Sequence, residues 1–113
     1  RVPVLGAMLV APGDVDRFAP ELEAVRSFAP MPQQGFSFPS VVVASTNDPF
    51  VSAEKSALFA DRWGSELISL GAMGHISTED GCGLWPQGRR ILQEFADSRQ
   101  TALINKAALL KAP

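Results

Sequence analysis

The sequence has the length and composition of one ordinary globular domain. It contains 113 residues, of which 46% are hydrophobic and 19% charged, and its formal net charge is -2. This balance lacks the basic surface that binding to a nucleic-acid backbone or an anionic membrane needs, so we expect neither partner. The single cysteine, Cys82, permits no internal disulfide, and the cytoplasm is the expected compartment.

Two continuous apolar runs predict buried strands of a parallel sheet. They cover residues 4–11 (VLGAMLVA) and 40–45 (SVVVAS), and neither run alternates apolar with polar residues. Arg1 before the first run imitates the start of a secretory signal, but Pro3 and Gly6 interrupt the apolar stretch. We therefore expect a buried strand there.

A long crossover is predicted between these strands, over residues 12–39. It contains five prolines, and one short helix is expected over residues 21–28. Compact domains seldom keep so long an irregular connection unless it lines or covers a site. Its four phenylalanines are expected to pack a lid, with the lining of an acyl or aryl pocket as the alternative; they are Phe18, Phe28, Phe36 and Phe38.

A strand–helix–strand unit is predicted next. Ser52 is a suitable N-cap for a helix over residues 53–63, and Gly64 is a suitable terminator. Residues 66–70 form a third short strand, which predicts a βαβ unit with parallel strands. The expected inward-facing residues of the helix are Ala53, Ala57, Leu58, Phe59 and Ala60.

The remaining sequence predicts a glycine-rich loop over residues 71–88 and a last amphipathic helix. The helix is expected to begin near Pro86, with Ile91, Leu92 and Phe95 facing inward. Three strands with so few helices would leave one sheet edge and both sheet faces incompletely covered.

The residues with catalytic potential are Asp48 and His75. Asp48 comes three residues after the second predicted strand, and His75 comes five residues after the third. The carboxyl ends of parallel strands meet at one sheet edge, and neighbouring strands lie about 4.8 Å apart, so the two side chains should meet. A carboxylate bonded to one ring nitrogen lets the other nitrogen accept a proton from a nucleophile.

Taken singly, each of these residues has an ordinary explanation. An aspartate before proline is common in turns, and a histidine beside glycine is often only a loop residue. An acid and then a base after successive parallel strands is the order in which α/β-hydrolases carry these groups after their nucleophilic serine. The pair therefore predicts more than either residue does alone.

Several segments resemble the family of hydrolases similar to retinoblastoma-binding protein nine. They are residues 41–52 (VVVASTNDPFVS), 63–67 (WGSEL), 74–76 (GHI) and 83–86 (GLWP) with Gly88, and the resemblance extends over residues 4–92. It implies the C-terminal part of an α/β-hydrolase three-layer sandwich, with a mostly parallel sheet and helices on both faces. It further implies a Ser-His-Asp triad acting on small esters, amides or peptides, with Asp48 as the acid, His75 as the base and no cofactor.

A nucleophile elbow, G-x-S-x-G, does not occur in the sequence. Of the ten serines, Ser37 in the segment GFSFP comes nearest, but proline replaces the second glycine. Family members place the elbow before a strand like residues 4–11. We therefore expect a single domain over residues 1–113 that is incomplete at its N-terminus, inactive by itself, and in need of complementation by the missing segment or another copy.

Other residues also have side chains capable of catalytic roles. Asp14 follows the first predicted strand and rivals Asp48 as the acid, while Cys82 could replace serine as a nucleophile beside His75. Glu79 and Asp80 are expected to be solvated loop residues, with a role in substrate preference as the alternative. One histidine and scattered carboxylates do not provide the three ligands of a catalytic zinc, so no metal is predicted.

The two tryptophans are expected to serve packing. Trp63 belongs to the predicted first long helix, and Trp85, in the glycine-rich loop, is the one that could border the substrate pocket.

Two other functions remain open. The first is a non-catalytic protein-binding module on the same fold, although the L-x-C-x-E motif associated with the family's name-giving protein is absent. The second is a doubly wound ligand-binding domain of another kind, which lacks support because no G-x-G-x-x-G or P-loop follows the first two strands.

Overall fold

A computed structural model describes residues 3–111 and contains a three-stranded parallel sheet. The strands are β1 (Ala7–Val10), β2 (Ser40–Ala44) and β3 (Glu66–Ser69), and they lie side by side in this order. Both pairings are parallel, with Val42 of β2 aligned with Leu9 and Leu67 on its two sides. The predicted α/β class and parallel arrangement are confirmed, while β1 is shorter than the predicted strand over residues 4–11.

The central strand β2 is buried along its whole length. Successive side chains of a strand point to opposite faces, so Val42 faces one layer of helices and Val41 and Val43 face the other. A strand covered on both faces and both edges favours apolar residues, as in residues 41–44, and its one polar side chain, Ser40, is hydrogen-bonded to the Ser65 hydroxyl at 2.6 Å.

Helix α3 (Ala53–Trp63) covers one face of the sheet and has the predicted bounds and caps. The Ser52 hydroxyl accepts a hydrogen bond from the Lys55 N–H at 3.1 Å, and Gly64 ends the helix with a left-handed φ of 70°. The predicted inward face is only partly right. The helix buries Ser56, Phe59, Ala60 and Trp63, whereas Ala53, Ala57 and Leu58 are exposed.

This correction has a simple geometric cause. The buried residues follow the i, i+3, i+4, i+7 spacing of one helix face, and a serine occupies its first position. The prediction considered only apolar residues, so it placed the buried face too close to Leu58. The core that results joins Val42 to Phe59, Ala60 and Trp63.

The crossover between β1 and β2 contains two single-turn helices, α1 (Val15–Phe18) and α2 (Glu23–Arg26). The predicted helix over residues 21–28 is therefore too long, and α1 was not predicted. The crossover is held by the Asp16 carboxylate, which accepts from the Met31 N–H at 3.1 Å, and by the Trp63 indole N–H, which donates to the Pro32 carbonyl at 2.8 Å.

Helix α4 (Pro86–Lys111) lies on the other face of the sheet. It approaches the segment before β1 closely, since a Cβ on Gly6 would come within 2.9 Å of the Phe95 ring. Ile91 and Phe95 are half-buried as predicted, but Leu92 is 51% exposed, which corrects its inward assignment. No helix within residues 3–111 is both long and apolar enough to cross a membrane.

Both outer strands have a free edge within the described residues. β1 and β3 each pair only with β2, so two sheet edges are open in residues 3–111 rather than the one expected. Next to the edge of β1, an apolar groove of about 430 Å³ separates this strand from α4.

Candidate active site

Asp48 and His75 meet at the edge of the sheet where β2 and β3 end. The His75 Nδ1 lies 2.9 Å from the Asp48 Oδ2. The Asp48 side chain is completely buried, whereas that of His75 is 37% exposed. The two residues singled out from the sequence are thus hydrogen-bonded partners, with the carboxylate inside and the imidazole reaching solvent.

The second oxygen of Asp48 is held by the backbone of its own turn. Oδ1 accepts a hydrogen bond from the Phe50 N–H at 2.8 Å. Asp48 is therefore both the turn residue and the partner of the histidine. A carboxylate can only accept, so it places the proton on Nδ1 of a neutral His75 and leaves the Nε2 lone pair available.

An aromatic side chain limits the movement of the imidazole. The rings of Phe50 and His75 meet edge to face, with centroids 4.7 Å apart and an interplanar angle of 61°. Phe50 in turn contacts Phe18 of the crossover at 5.9 Å between centroids. The residue that donates to Asp48 therefore also packs against His75.

The loop that contains His75 is tied to the loop that contains Asp48. The Ser45 hydroxyl oxygen accepts from the Met73 N–H at 2.9 Å, and the Asn47 Oδ1 accepts from the Gly74 N–H at 2.7 Å. Ser45 also donates to Asn47 at 2.9 Å. Ser45 and Asn47 were not predicted as site residues, although their position immediately after a buried strand is a signal in the sequence.

Asp80 supports the histidine from the opposite side. Its Oδ2 accepts from the His75 N–H at 2.9 Å and from the Ser77 hydroxyl at 2.7 Å. The Ser77 hydroxyl above all, and then the Ser77 and His75 N–H groups, hold the pKa of Asp80 below its ordinary value. Asp80 and Glu79 are both exposed, as expected of solvated loop residues, and Asp80 in addition accepts the hydrogen bonds from His75 and Ser77.

Neither rival residue is hydrogen-bonded to the imidazole in the described part of the chain. Asp14 donates its N–H to the Phe50 carbonyl at 2.9 Å, and its carboxylate makes no hydrogen bond to His75. Cys82 is a half-buried free thiol that donates its backbone N–H to the Ser77 carbonyl at 3.3 Å. Within residues 3–111 the imidazole is bonded to Asp48 rather than to either rival.

A cavity of about 240 Å³ opens beside His75. Asp14 lies in its wall, which is otherwise mainly apolar; the apolar side chains come from Ala11, Val15, Phe18, Leu22, Val25 and Phe50. Of the four crossover phenylalanines, Phe18 alone lines this cavity; Phe36 stacks on Phe38 and Trp63, and Phe28 is exposed.

Trp85 does not border the cavity beside His75. It lines a separate depression on the α4 side of the sheet, together with Met8 and Val10. The larger groove between β1 and α4 also contains neither Asp48 nor His75. The space relevant to His75 is therefore the smaller one, because proximity to the imidazole decides which cavity can hold a reacting group.

Within residues 3–111, no cluster of three histidine, cysteine, aspartate or glutamate side chains could hold a metal ion.

The chain is similar to known hydrolases. A crystal structure described provisionally as that of a YdeN-like hydrolase from Pectobacterium atrosepticum superposes with a TM-score of 0.72 at 34% sequence identity. The similarity covers 88% of this chain and 50% of that chain, so the present chain spans about half the length of its structural relative. No curated protein matches. The sequence pattern of the serine hydrolases matches residues 1–94, and the chain belongs to the serine hydrolase family.

Proposed function

We propose that this chain supplies the general base and its orienting acid for acyl hydrolysis by a serine hydrolase. The observation that carries the proposal is the hydrogen bond of 2.9 Å between the buried Asp48 carboxylate and the Nδ1 of His75. The family membership of the chain is consistent with this assignment. We further propose that the relevant relatives within the family are the hydrolases similar to retinoblastoma-binding protein nine.

The proposed mechanism has two acyl-transfer steps. In the first step, His75 Nε2 accepts the proton of a serine hydroxyl while the serine oxygen attacks the substrate carbonyl. His75 then donates that proton to the departing alcohol or amine. In the second, His75 takes a proton from water as the water attacks the acyl-enzyme, and it gives the proton back to the serine. Asp48 remains ionised and stabilises the imidazolium formed in each step.

The proposed nucleophile is a serine outside this sequence. None of the ten serines lies in a G-x-S-x-G elbow, and within residues 3–111 no serine is hydrogen-bonded to the imidazole of His75. The chain also spans only half the length of the similar hydrolase structure. The polypeptide with this sequence is therefore proposed to be inactive until the missing element is supplied.

The cavity beside His75 supports small substrates with an apolar acyl or aryl group. An apolar cavity of about 150 Å³ is large enough for benzene, so a cavity of about 240 Å³ accommodates a substituted ring or a short alkyl chain. We therefore propose small esters, amides or peptides as the substrate class.

A fluorophosphonate probe tests the proposal, since it reacts covalently with activated serines. The product of the complete gene should be labelled on a serine in a G-x-S-x-G segment, whereas the 113-residue chain alone should show neither labelling nor ester turnover. His75→Ala should reduce turnover by about 10⁶-fold and Asp48→Asn by about 10⁴-fold.

Glu79→Gln is the matched control, because it removes an exposed carboxylate near His75 without removing a hydrogen bond of the site. Its turnover should equal that of the unchanged enzyme. A folded gene product that is not labelled would favour the alternative, a protein-binding module. Turnover by the 113-residue chain alone would contradict the proposed external nucleophile.

A further inference from the structure

We propose that Asp80 is a positioning residue that aims the imidazole of His75, acting together with Ser45 and Asn47. This inference rests on the proposed role of His75 as the base. Its physical basis is that the backbone of the histidine loop is held by side chains from both sides.

Three successive peptide N–H groups of this loop donate to side-chain oxygens. The Met73 and Gly74 N–H groups donate to Ser45 and Asn47, at 2.9 and 2.7 Å. The His75 N–H donates in the opposite direction along the chain, to Asp80 Oδ2 at 2.9 Å. The loop is therefore fixed to the end of β2 on one side and to the turn at Thr78–Asp80 on the other.

The conformation that these bonds maintain is strained. Ile76, directly after the histidine, has a φ of 54°, which a β-branched residue rarely adopts. Asp80 accepts hydrogen bonds from the residues on both sides of Ile76, since Ser77 also donates its hydroxyl at 2.7 Å. The Asp80 carboxylate therefore helps to offset the cost of the left-handed residue, together with the hydrogen bond that the Ile76 N–H donates to the Met73 carbonyl at 3.1 Å.

The Asp80 carboxylate packs against Gly74, which limits its movement. A Cβ on Gly74 would collide with the Asp80 carboxylate, and Gly74 itself has a φ of 60°. The carboxylate therefore lies directly against the backbone that precedes His75. The imidazole is 37% exposed, bonded to the Asp48 carboxylate and packed edge to face against the Phe50 ring.

Proton transfer depends on the position of the imidazole, which the hydrogen bonds to the histidine loop maintain. A shift of about 1 Å in a reacting group can reduce turnover about 100-fold. Because the Cα–Cβ bond of His75 follows the orientation of its peptide units, rotation of the Ile76 backbone would move Nε2 away from the serine and weaken the bond to Asp48. We therefore expect an imidazole that can still accept a proton but no longer points toward the serine.

The experiment uses the fact that His75 is the only histidine of the sequence, so the 113-residue chain gives a single set of imidazole resonances. We would measure the solvent-exchange rate of the His75 Nδ1–H by NMR in the unchanged chain and in variants. Asp80→Ala should accelerate exchange by about threefold or more, and Asp80→Asn, which keeps one acceptor oxygen, should accelerate it less. The neighbouring Glu79→Gln should leave the rate unchanged.

Two further variants separate positioning from simple stabilisation of the turn. Ser77→Ala removes the hydroxyl bond to Asp80 but leaves the His75 N–H bond, so it should accelerate exchange less than Asp80→Ala does. Ile76→Asn, which adopts a positive φ at lower cost, should recover part of the loss when added to Asp80→Ala. Equal effects of Ser77→Ala and Asp80→Ala, or no effect of Asp80→Ala in a folded chain, would overturn the proposal.

The failure of this inference can be told apart from the failure of the proposed function. If Asp48→Ala leaves the Nδ1–H exchange of His75 unchanged, the acid–base pair itself is wrong. If Asp48→Ala accelerates exchange and Asp80→Ala does not, only the role of Asp80 is wrong. In the complete gene product, Asp80→Ala should lower kcat about tenfold with little change in KM, because Asp80 does not line the cavity beside His75.

Discussion

The two oxygens of Asp48 have different tasks. Oδ1 closes the local turn by accepting from Phe50, and Oδ2 accepts from His75. In the sequence these tasks looked like competing explanations, because an aspartate before proline is a normal turn residue. At the residue scale they are compatible, since the turn fixes the direction in which Oδ2 points.

Replacing Asp48 should change which imidazole nitrogen carries the proton. In the unchanged chain we expect neutral His75 to be protonated on Nδ1, because that nitrogen faces a carboxylate that can only accept. Asp48→Ala should shift the population toward the Nε2–H form, as measured by the imidazole ¹⁵N chemical shifts. Asp14→Asn is the control and should change nothing, whereas a shift in that variant would make Asp14 the partner.

Asp80 should stabilise the fold in a pH-dependent way. Its pKa in the folded chain is lower than the ordinary value of 3.8, mainly through the Ser77 hydroxyl. A lowered pKa means that the contribution is complete above the unfolded pKa and is lost as the pH falls through the folded pKa.

The comparison of the unchanged chain with Asp80→Asn tests this direction. The difference in the free energy of unfolding, measured with urea, should be constant from pH 7 to about pH 5 and should shrink below about pH 4. A difference that grows on acidification would contradict the hydrogen bonds assigned to Asp80.

Among the elements, those with local signals were predicted best. The bounds of α3 followed from Ser52 and Gly64, and β2 followed from its unbroken apolar run. The crossover was predicted poorly, because α1 and α2 are single turns held by distant partners such as Met31 for Asp16. Such contacts leave no periodic pattern in the sequence.

The residues of the candidate site also differ in how well the sequence predicts them. Asp48 and His75 could be found because their chemistry and their positions after strands are visible in the sequence. The supports Ser45, Asn47 and Asp80 could not be identified with comparable certainty, since their role depends on which backbone N–H groups the fold brings to them. From the sequence, a polar loop residue whose hydrogen-bond partner is unknown is predicted to be solvated.

The end of α3 provides a test at the element scale. Gly64 has a φ of 70°, and a Cβ there would meet no atom within 4 Å, so only backbone strain opposes a side chain. Gly64→Ala should reduce the free energy of unfolding by about 1 kcal/mol, and Gly64→Asn by less, because asparagine tolerates the left-handed region. Equal stability of the alanine variant and the unchanged chain would show that the cap is dispensable.

At the scale of the whole molecule, one face of the sheet is better packed than the other. Val42, Phe59 and Trp63 form a closed core on the α3 side, with Phe59 only 1% exposed and its ring 4.9 Å from that of Trp63 between centroids. The α4 side contains the groove of about 430 Å³. We therefore expect the α3 side to dominate the stability of the chain.

Two adjacent residues of α3 test this asymmetry and the corrected helix face. Phe59→Ala should lower the free energy of unfolding by about 3–5 kcal/mol, because it removes a fully buried ring. Leu58→Ala should cost less than about 1 kcal/mol, since that side chain lies on the exposed side. Comparable losses, measured by urea unfolding, would restore the helix face expected from the sequence.

The residues that hydrogen-bond around Asp48 and His75 lie close together in the sequence, which affects how the site can be inherited. Among the described residues, every side-chain hydrogen bond that fixes Asp48 and His75 relative to each other lies between Ser45 and Asp80. This stretch is one uninterrupted piece of chain. A gene rearrangement that exchanged only the segment before β2 would therefore keep the acid–base pair and the strand that positions Asp48 on one piece of chain.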